Sequence, residues 1–191
     1  MASGDKDIQE LINQLKRLRD ELPTVLPAIA TSMSLTAKAI AERTIKDKGF
    51  GDEYSLSQLP IWFLKGKQLN NKGVKYIEKI EKEARKSGEP ATGNWREFRE
   101  AQGLQTKHVD LTYSGKMWAG MFPQDVIVEG YKYIAPLGNN TIEGQDKMNW
   151  NFERYGDFIG STLTGDNLDA VYKVGIDELI RLLDKRIEWK K

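Results

Sequence analysis

His108 is the only histidine of the chain, and Asp110 stands two residues after it. In a strand, residues two apart share a face. The pair therefore predicts an imidazole oriented by a carboxylate, the arrangement of a general base. No motif ties a nucleophile to the pair, and a surface or loop histidine is the alternative. A small hydrolase or toxin using His108 is one function left open here. A zinc site would have to be completed by carboxylates, because the chain has one histidine and no cysteine. The lack of cysteine also removes disulfides and thiolate catalysis, and it permits a reducing compartment. Gly49-Phe50-Gly51 and Gly66-Lys67 lack the second spaced glycine and the Lys-Ser or Lys-Thr of a phosphate loop. Asp177 and Glu178 are adjacent and so point to different sides of a helix. No catalytic, cofactor-binding or metal-binding residue is assigned, and the expected protein is not an enzyme.

The elements that would hold these residues read as α+β: N-terminal helices, a small and mostly antiparallel β-sheet, and a C-terminal helix packed on the sheet. Ile8, Leu11, Ile12, Leu15, Leu18 and Leu22 recur at three- and four-residue steps, as on one face of a helix. Pro23 predicts an end or a kink. Pro27 fits the first turn of a second helix, with Ile29, Met33, Thr36, Ala37, Ile40 and Thr44 as its stripe. Gly73 to Lys86 predicts a basic helix. Val109 to Tyr113 alternates as a half-buried strand does. Val126–Val128 and Tyr131–Ala135 predict a hairpin turning at Glu129-Gly130. Asp146 to Tyr155 predicts a short helix that Asp146 would cap and Gly156 would end. Asp166 would cap the last helix, with Leu168, Val171, Tyr172, Leu179, Leu182 and Leu183 on one side. Lys185, Arg186, Lys190 and Lys191 suit the negative end of its dipole.

A chain of 191 residues with 39% apolar and 30% charged residues, and a mean hydropathy of −0.57, predicts one domain, 1–191, with an insertion or arm at about 50–93. The N-terminus is polar, no spanning helix is expected, and Asn139-Asn140-Thr141 reads as a loop rather than a glycosylation site. Lys plus Arg number 29 against 28 Asp plus Glu, a net charge of +1. A duplex-binding protein usually carries a clear basic excess. Locally, residues 65–86 hold eight basic and three acidic side chains. A nucleic-acid-binding module using the Lys72–Lys86 helix, with Trp62, Phe63, Trp95 and Phe98 as stacking platforms, is therefore a second open function. The interleaved Glu78, Glu81 and Glu83 suit a solvated face equally well.

Five tryptophans and seven tyrosines can furnish both a core and an interface. Trp62, Phe63, Met117 and Trp118 are apolar residues in weakly periodic segments. They are the candidates for subunit contacts, since aromatic anchors dominate interface energetics.

Three segments carry a family resemblance. They are Trp95-Arg96-Glu97-Phe98-Arg99-Glu100-Ala101-Gln102-Gly103-Leu104-Gln105-Thr106, Val109-Asp110-Leu111-Thr112-Tyr113-Ser114-Gly115-Lys116-Met117-Trp118, and Asn151-Phe152-Glu153-Arg154-Tyr155-Gly156-Asp157-Phe158. The second resembles the turn that opens the sheet in tailed-bacteriophage neck, head–tail connector and tail-completion proteins. The third resembles the aromatic and glycine segment before that family's last helix. The resemblance implies a structural virion protein: a homo-oligomeric ring at the head–tail junction, assembled in the host bacterial cytoplasm. Its partners would be other phage structural proteins, the portal or adaptor on one side and tail proteins on the other. DNA would pass through the ring with at most non-specific contact, with no membrane and no cofactor involved. A cellular scaffold unrelated to phages is the remaining alternative.

Overall fold

The computed structural model describes residues 2–50, 54, 56–111 and 115–187, with side chains from residue 7 onward. The fold is α+β. In chain order the elements are α1 (Ala2–Lys48), β1 (Gln58–Pro60), α2 (Ile61–Lys65), α3 (Asn71–Ser87), β2 (Thr92–Asn94) and α4 (Trp95–Ala101). There follow α5 (Lys116–Gly120), β3 (Met121–Pro123), β4 (Ile127–Glu129), β5 (Lys132–Ile134), β6 (Leu137–Asn139), α6 (Ile142–Tyr155) and α7 (Asp166–Arg186).

Where one domain with an arm at about 50–93 is expected, the chain forms two compact units. One comprises residues 1–43 and 116–191, the other residues 44–115. The expected arm thus belongs to a unit with its own core. The expected sheet is also divided: β1–β2, β3–β6 and β4–β5 are three separate antiparallel ladders. Strands of three residues offer too little apolar face to seat a long helix, and burial falls to helix packing instead. In the first unit, α7 lies along α1 rather than on a sheet. Gly175 leaves room for Met33, and Arg186 Nε meets Glu21 Oε2 at 2.8 Å.

The two prolines do not divide α1, which runs unbroken through Pro23 and Pro27. Each proline removes one bond, to the carbonyls of Arg19 and Pro23 respectively. The Thr31 hydroxyl donates to the Pro27 carbonyl at 3.0 Å, supporting the next turn. Ile29 and Ala37 on the same helix are buried, so packing holds the helix together across both missing bonds. By length and composition α1 is also apolar enough to cross a membrane, with a window of mean hydropathy 1.2, although no spanning helix is expected from the sequence.

In the second unit, Leu64, Ile77 and Phe98 form the core, ringed by Leu59, Ile61, Leu69, Tyr76 and Trp95. Each such buried side chain contributes about 1.5–3 kcal/mol. The Asn70 side chain caps α3 by accepting from the Lys72 and Gly73 N–H groups at 3.0 and 2.9 Å. Asn94 caps α4 through the Glu97 N–H at 2.8 Å.

The expected strand at 109–113 does not form over its described part, and Thr112, Tyr113 and Ser114 lie outside the described residues. Val109 and Asp110 are both buried in succession, and Leu111 takes a φ of 50°, so the two-residue alternation breaks. In the first unit, α6 begins at Ile142 under a Thr141 cap (Thr141 Oγ1 accepts from the Gly144 N–H at 3.0 Å) rather than at Asp146, and it ends at Gly156. Trp189, Lys190 and Lys191 lie outside the described residues.

Candidate functional site

The chemistry suggested by His108 and Asp110 is not assembled. His108 packs on Gly49, where even a methyl group would collide with the imidazole. Its Nε2 lies 3.1 Å from the Lys46 carbonyl. A carbonyl only accepts, so this bond places the ring proton on Nε2. The histidine thereby ties the end of α1 to the 105–110 loop. Asp110 turns elsewhere, into a buried polar cluster with Arg99 and Tyr54. Arg99 Nη2 donates to its two carboxylate oxygens at 3.3 and 3.1 Å, and the Tyr54 hydroxyl donates to Oδ1 at 2.6 Å. The Asp110 N–H returns a bond to the Tyr54 oxygen at 3.1 Å, and the Arg99 guanidinium stacks 4.3 Å from the Tyr54 ring centre. Arg99 Nε donates to the Gln105 carbonyl at 3.2 Å. Burial first, and then the bond to Asp110, push the Tyr54 hydroxyl above the ordinary phenol range. Each of these groups is engaged by another, so the cluster cross-links the unit. Among the described residues no group of three or more metal-binding side chains converges.

The four interface candidates separate into two pairs. Trp62 and Phe63 are carried by α2, one and a half turns long and pinned by the fully buried Leu64 between them and the core. The β1–β2 ladder pairs Leu59 with Gly93 just before it, and a Lys65–Glu81 ion pair follows. This anchoring turns Trp62 outward, 71% exposed, with Phe63 at 37%. The two rings meet edge to face at 6.3 Å, and Lys67 Nζ sits 4.1 Å from the Phe63 ring centre. Trp62 and Phe63 therefore offer an aromatic surface.

Met117 and Trp118 do not, and here the expectation is corrected. They are 4% and 1% exposed on α5. Trp118 meets Phe158 edge to face at 6.0 Å, and Phe158 lies 4.7 Å from Phe152. Asn139 Nδ2 donates to the Met117 carbonyl at 2.8 Å, and glycines 120 and 144 leave room for the Asn139 side chain between α5 and α6. The short α5 looks weakly periodic because it is buried on most sides. These two residues are core.

The basic helix α3 presents a shallow groove of about 330 Å³ lined by Glu78, Glu81, Lys82, Arg85 and Lys86. Lysines and glutamates share it, and Lys79 lies 4.0 Å from Glu83. A phosphate backbone would meet both signs of charge there.

Among the described residues, the exposed apolar surfaces include two that the sequence did not single out. On α1, Ile8, Leu11, Ile12 and Leu15 remain 38–60% exposed. On the β4–β5 hairpin, Ile127 and Val128 are 49% and 54% exposed and Tyr131 is fully so. The turn falls at Gly130-Tyr131, one residue later than predicted, with Gly130 at a φ of 62° and Glu129 paired to Lys132. The signal for this surface was present in Val126-Ile127-Val128, a run with no polar alternation. Compared with known proteins, the chain matches no family model, no curated sequence and no solved structure.

Proposed function

We propose that this chain is a structural virion protein of a tailed bacteriophage. Copies form a ring in the neck, joining the portal or adaptor side to the tail and leaving a channel for DNA. The three segments at 95–106, 109–118 and 151–158 supply the family likeness. The observation that carries the reading is the exposed apolar side chain: Trp62 with Phe63 on one unit, Ile127, Val128 and Tyr131 on the other. Contiguous apolar groups left in water mark contact surfaces, and tryptophan is enriched among the anchors of such contacts. A net charge of +1 from 29 basic and 28 acidic residues suits contacts made by complementary patches. A closed ring needs a heterologous interface, one surface of a copy meeting a different surface of the next. The mixed charges along α3 favour at most incidental contact with DNA passing through. No membrane enters this reading, in which α1 keeps its place along α7.

The test is to identify the chain by mass spectrometry in purified virions and locate it by cryo-electron microscopy. Symmetric density at the head–tail junction that fits this fold is the expected result. Particles that lack the chain refute the structural role.

A further inference from the structure

The β4–β5 hairpin leaves apolar groups in water on both of its faces. Its register pairs Glu129 with Lys132, Val128 with Tyr133, and Ile127 with Ile134. Side chains alternate along a strand. Val128 and Tyr133 therefore take one face, and Ile127, Glu129, Lys132 and Ile134 take the other. Among the described residues no third strand joins either edge. Both strands thus keep a row of outward N–H and C=O groups without a sheet partner, which templates further pairing. A lone two-stranded ladder is marginal in water. The usual edge protections are sparse here: no proline lies in either strand, and the two charged side chains sit only at the turn end.

We propose that these hairpins pair edge to edge between copies of this chain, β5 of one copy against β4 of the next. This deepens the ring reading above by naming its contact. The charges choose the arrangement. Hairpins standing side by side in one orientation bring β5 antiparallel to the neighbouring β4. With the register of the hairpin continued across the boundary, Lys132 meets Glu129 of the next copy, Tyr133 meets Val128, and Ile134 meets Ile127. The end rung then alternates acid and base along the whole row, and the other two rungs are apolar throughout. The two-fold alternatives are worse matched. β4 on β4 centred at Val128 sets Glu129 against Ile127, and β5 on β5 centred at Tyr133 sets Lys132 against Ile134. Opposite charges facing each other stabilise an antiparallel pair, and charges facing isoleucine do not. The favoured contact is head-to-tail, so it propagates until a ring closes.

The chain has no cysteine, so full-length Val128→Cys and Tyr133→Cys proteins each carry a single thiol. Opposed positions on paired strands bring Cβ atoms within about 5 Å, close to what a disulfide spans. Mixed in equal amounts and mildly oxidised, the two proteins should give a V128C–Y133C dimer in several-fold excess over either homodimer. A dominant V128C homodimer would mean two-fold β4 pairing and overturns the proposal. Dimer no more abundant than with a cysteine placed at Tyr172 on α7 overturns it as well. A charge series is the second readout. Glu129→Lys should shift the mass in multi-angle light scattering to smaller species, and the double swap E129K/K132E should restore the parent mass. A double swap as dissociated as E129K removes the register. Neither readout uses virions. A chain that cross-links this way yet is missing from the neck loses the neck reading alone, and a neck protein whose hairpins do not cross-link loses only the edge pairing.

Discussion

Trp118→Ala separates core from interface. The side chain is 1% exposed and packed against Phe158. Truncating such a tryptophan costs about 3–5 kcal/mol, from lost transfer energy and the cavity left behind. The total stability of a domain is only about 5–15 kcal/mol. At about 2–4 °C per kcal/mol for a chain of this size, the midpoint should fall by about 6–20 °C. Trp118 also carries a cost of its own: among the described residues its Nε1 is buried without a hydrogen-bond partner. An orphaned buried donor costs about 1–3 kcal/mol. Trp118→Phe keeps a ring against Phe158 and removes that donor, so its two effects oppose. It should therefore cost less than Trp118→Ala, because it leaves a smaller cavity. Differential scanning calorimetry of the full-length protein checks both, with Trp62→Ala as the exposed control expected within about 0.5 kcal/mol of the parent. A W118A protein that melts with the parent would refute the reasoning and return Trp118 to the surface.

Asp110→Asn should destabilise by about 3–5 kcal/mol, because it leaves the 1%-exposed Arg99 without its buried counter-charge. Tyr54→Phe, which removes one hydroxyl from the same cluster, should cost about 1–3 kcal/mol; urea melts giving the reverse order would show that Asp110 is not the centre of the cluster. At high pH, burial and then the charge of Glu97 push the Tyr76 hydroxyl up to about 12, and Tyr54 is raised as well. The native state therefore holds these protons more tightly than the unfolded chain, whose phenols titrate near about 10. The contribution of Tyr76 is complete below about pH 10 and is lost as the pH rises through about 12. Denaturant melts from pH 9 to 12 should show that decline, shallower in Tyr76→Phe; an equal slope in the variant removes Tyr76 from the account.

Helices with a clear stripe and a turn residue at one end were legible in the sequence. Gly73–Lys86 became α3, and the last helix stands where expected, although Asp166 is its first residue rather than its cap, a position that Gly165 takes without a side-chain bond. The hairpin was legible because hydrophobic runs flank a glycine, and its turn moved by one residue because Gly130 supplies the positive φ. What stayed hidden depends on partners distant in sequence. Nothing local to Pro23 tells that Ile29 and Ala37 will be buried, and so a second helix from Pro27 was the fair expectation where one helix runs through. Nothing local to Asp110 tells that Arg99, eleven residues earlier, and Tyr54, fifty-six earlier, will claim its carboxylate. His108 loses its catalytic partner for that reason, although the spacing between the two residues is as read.

Trp62 and Trp118 make the same point about sites. Both sit on five-residue helices that are too short to show a period, and their sequence neighbourhoods are similarly apolar. Their fates divide on which neighbour takes the anchoring role. In α2, Leu64 fills the core beside Ile77 and Phe98, and the residue two positions earlier is turned to solvent. In α5, Met117 and Trp118 both point inward, because Asn139 holds the Met117 carbonyl and α6 closes over the helix. A short helix with one anchor exposes its other aromatic, whereas one clasped from two sides exposes none. The exposed aromatic of α2 is thus a consequence of how the second unit builds its core, and a partner can cover it without disturbing Leu64. Trp118 could be offered to a partner only by opening the first unit, at the cost that the W118A melt measures.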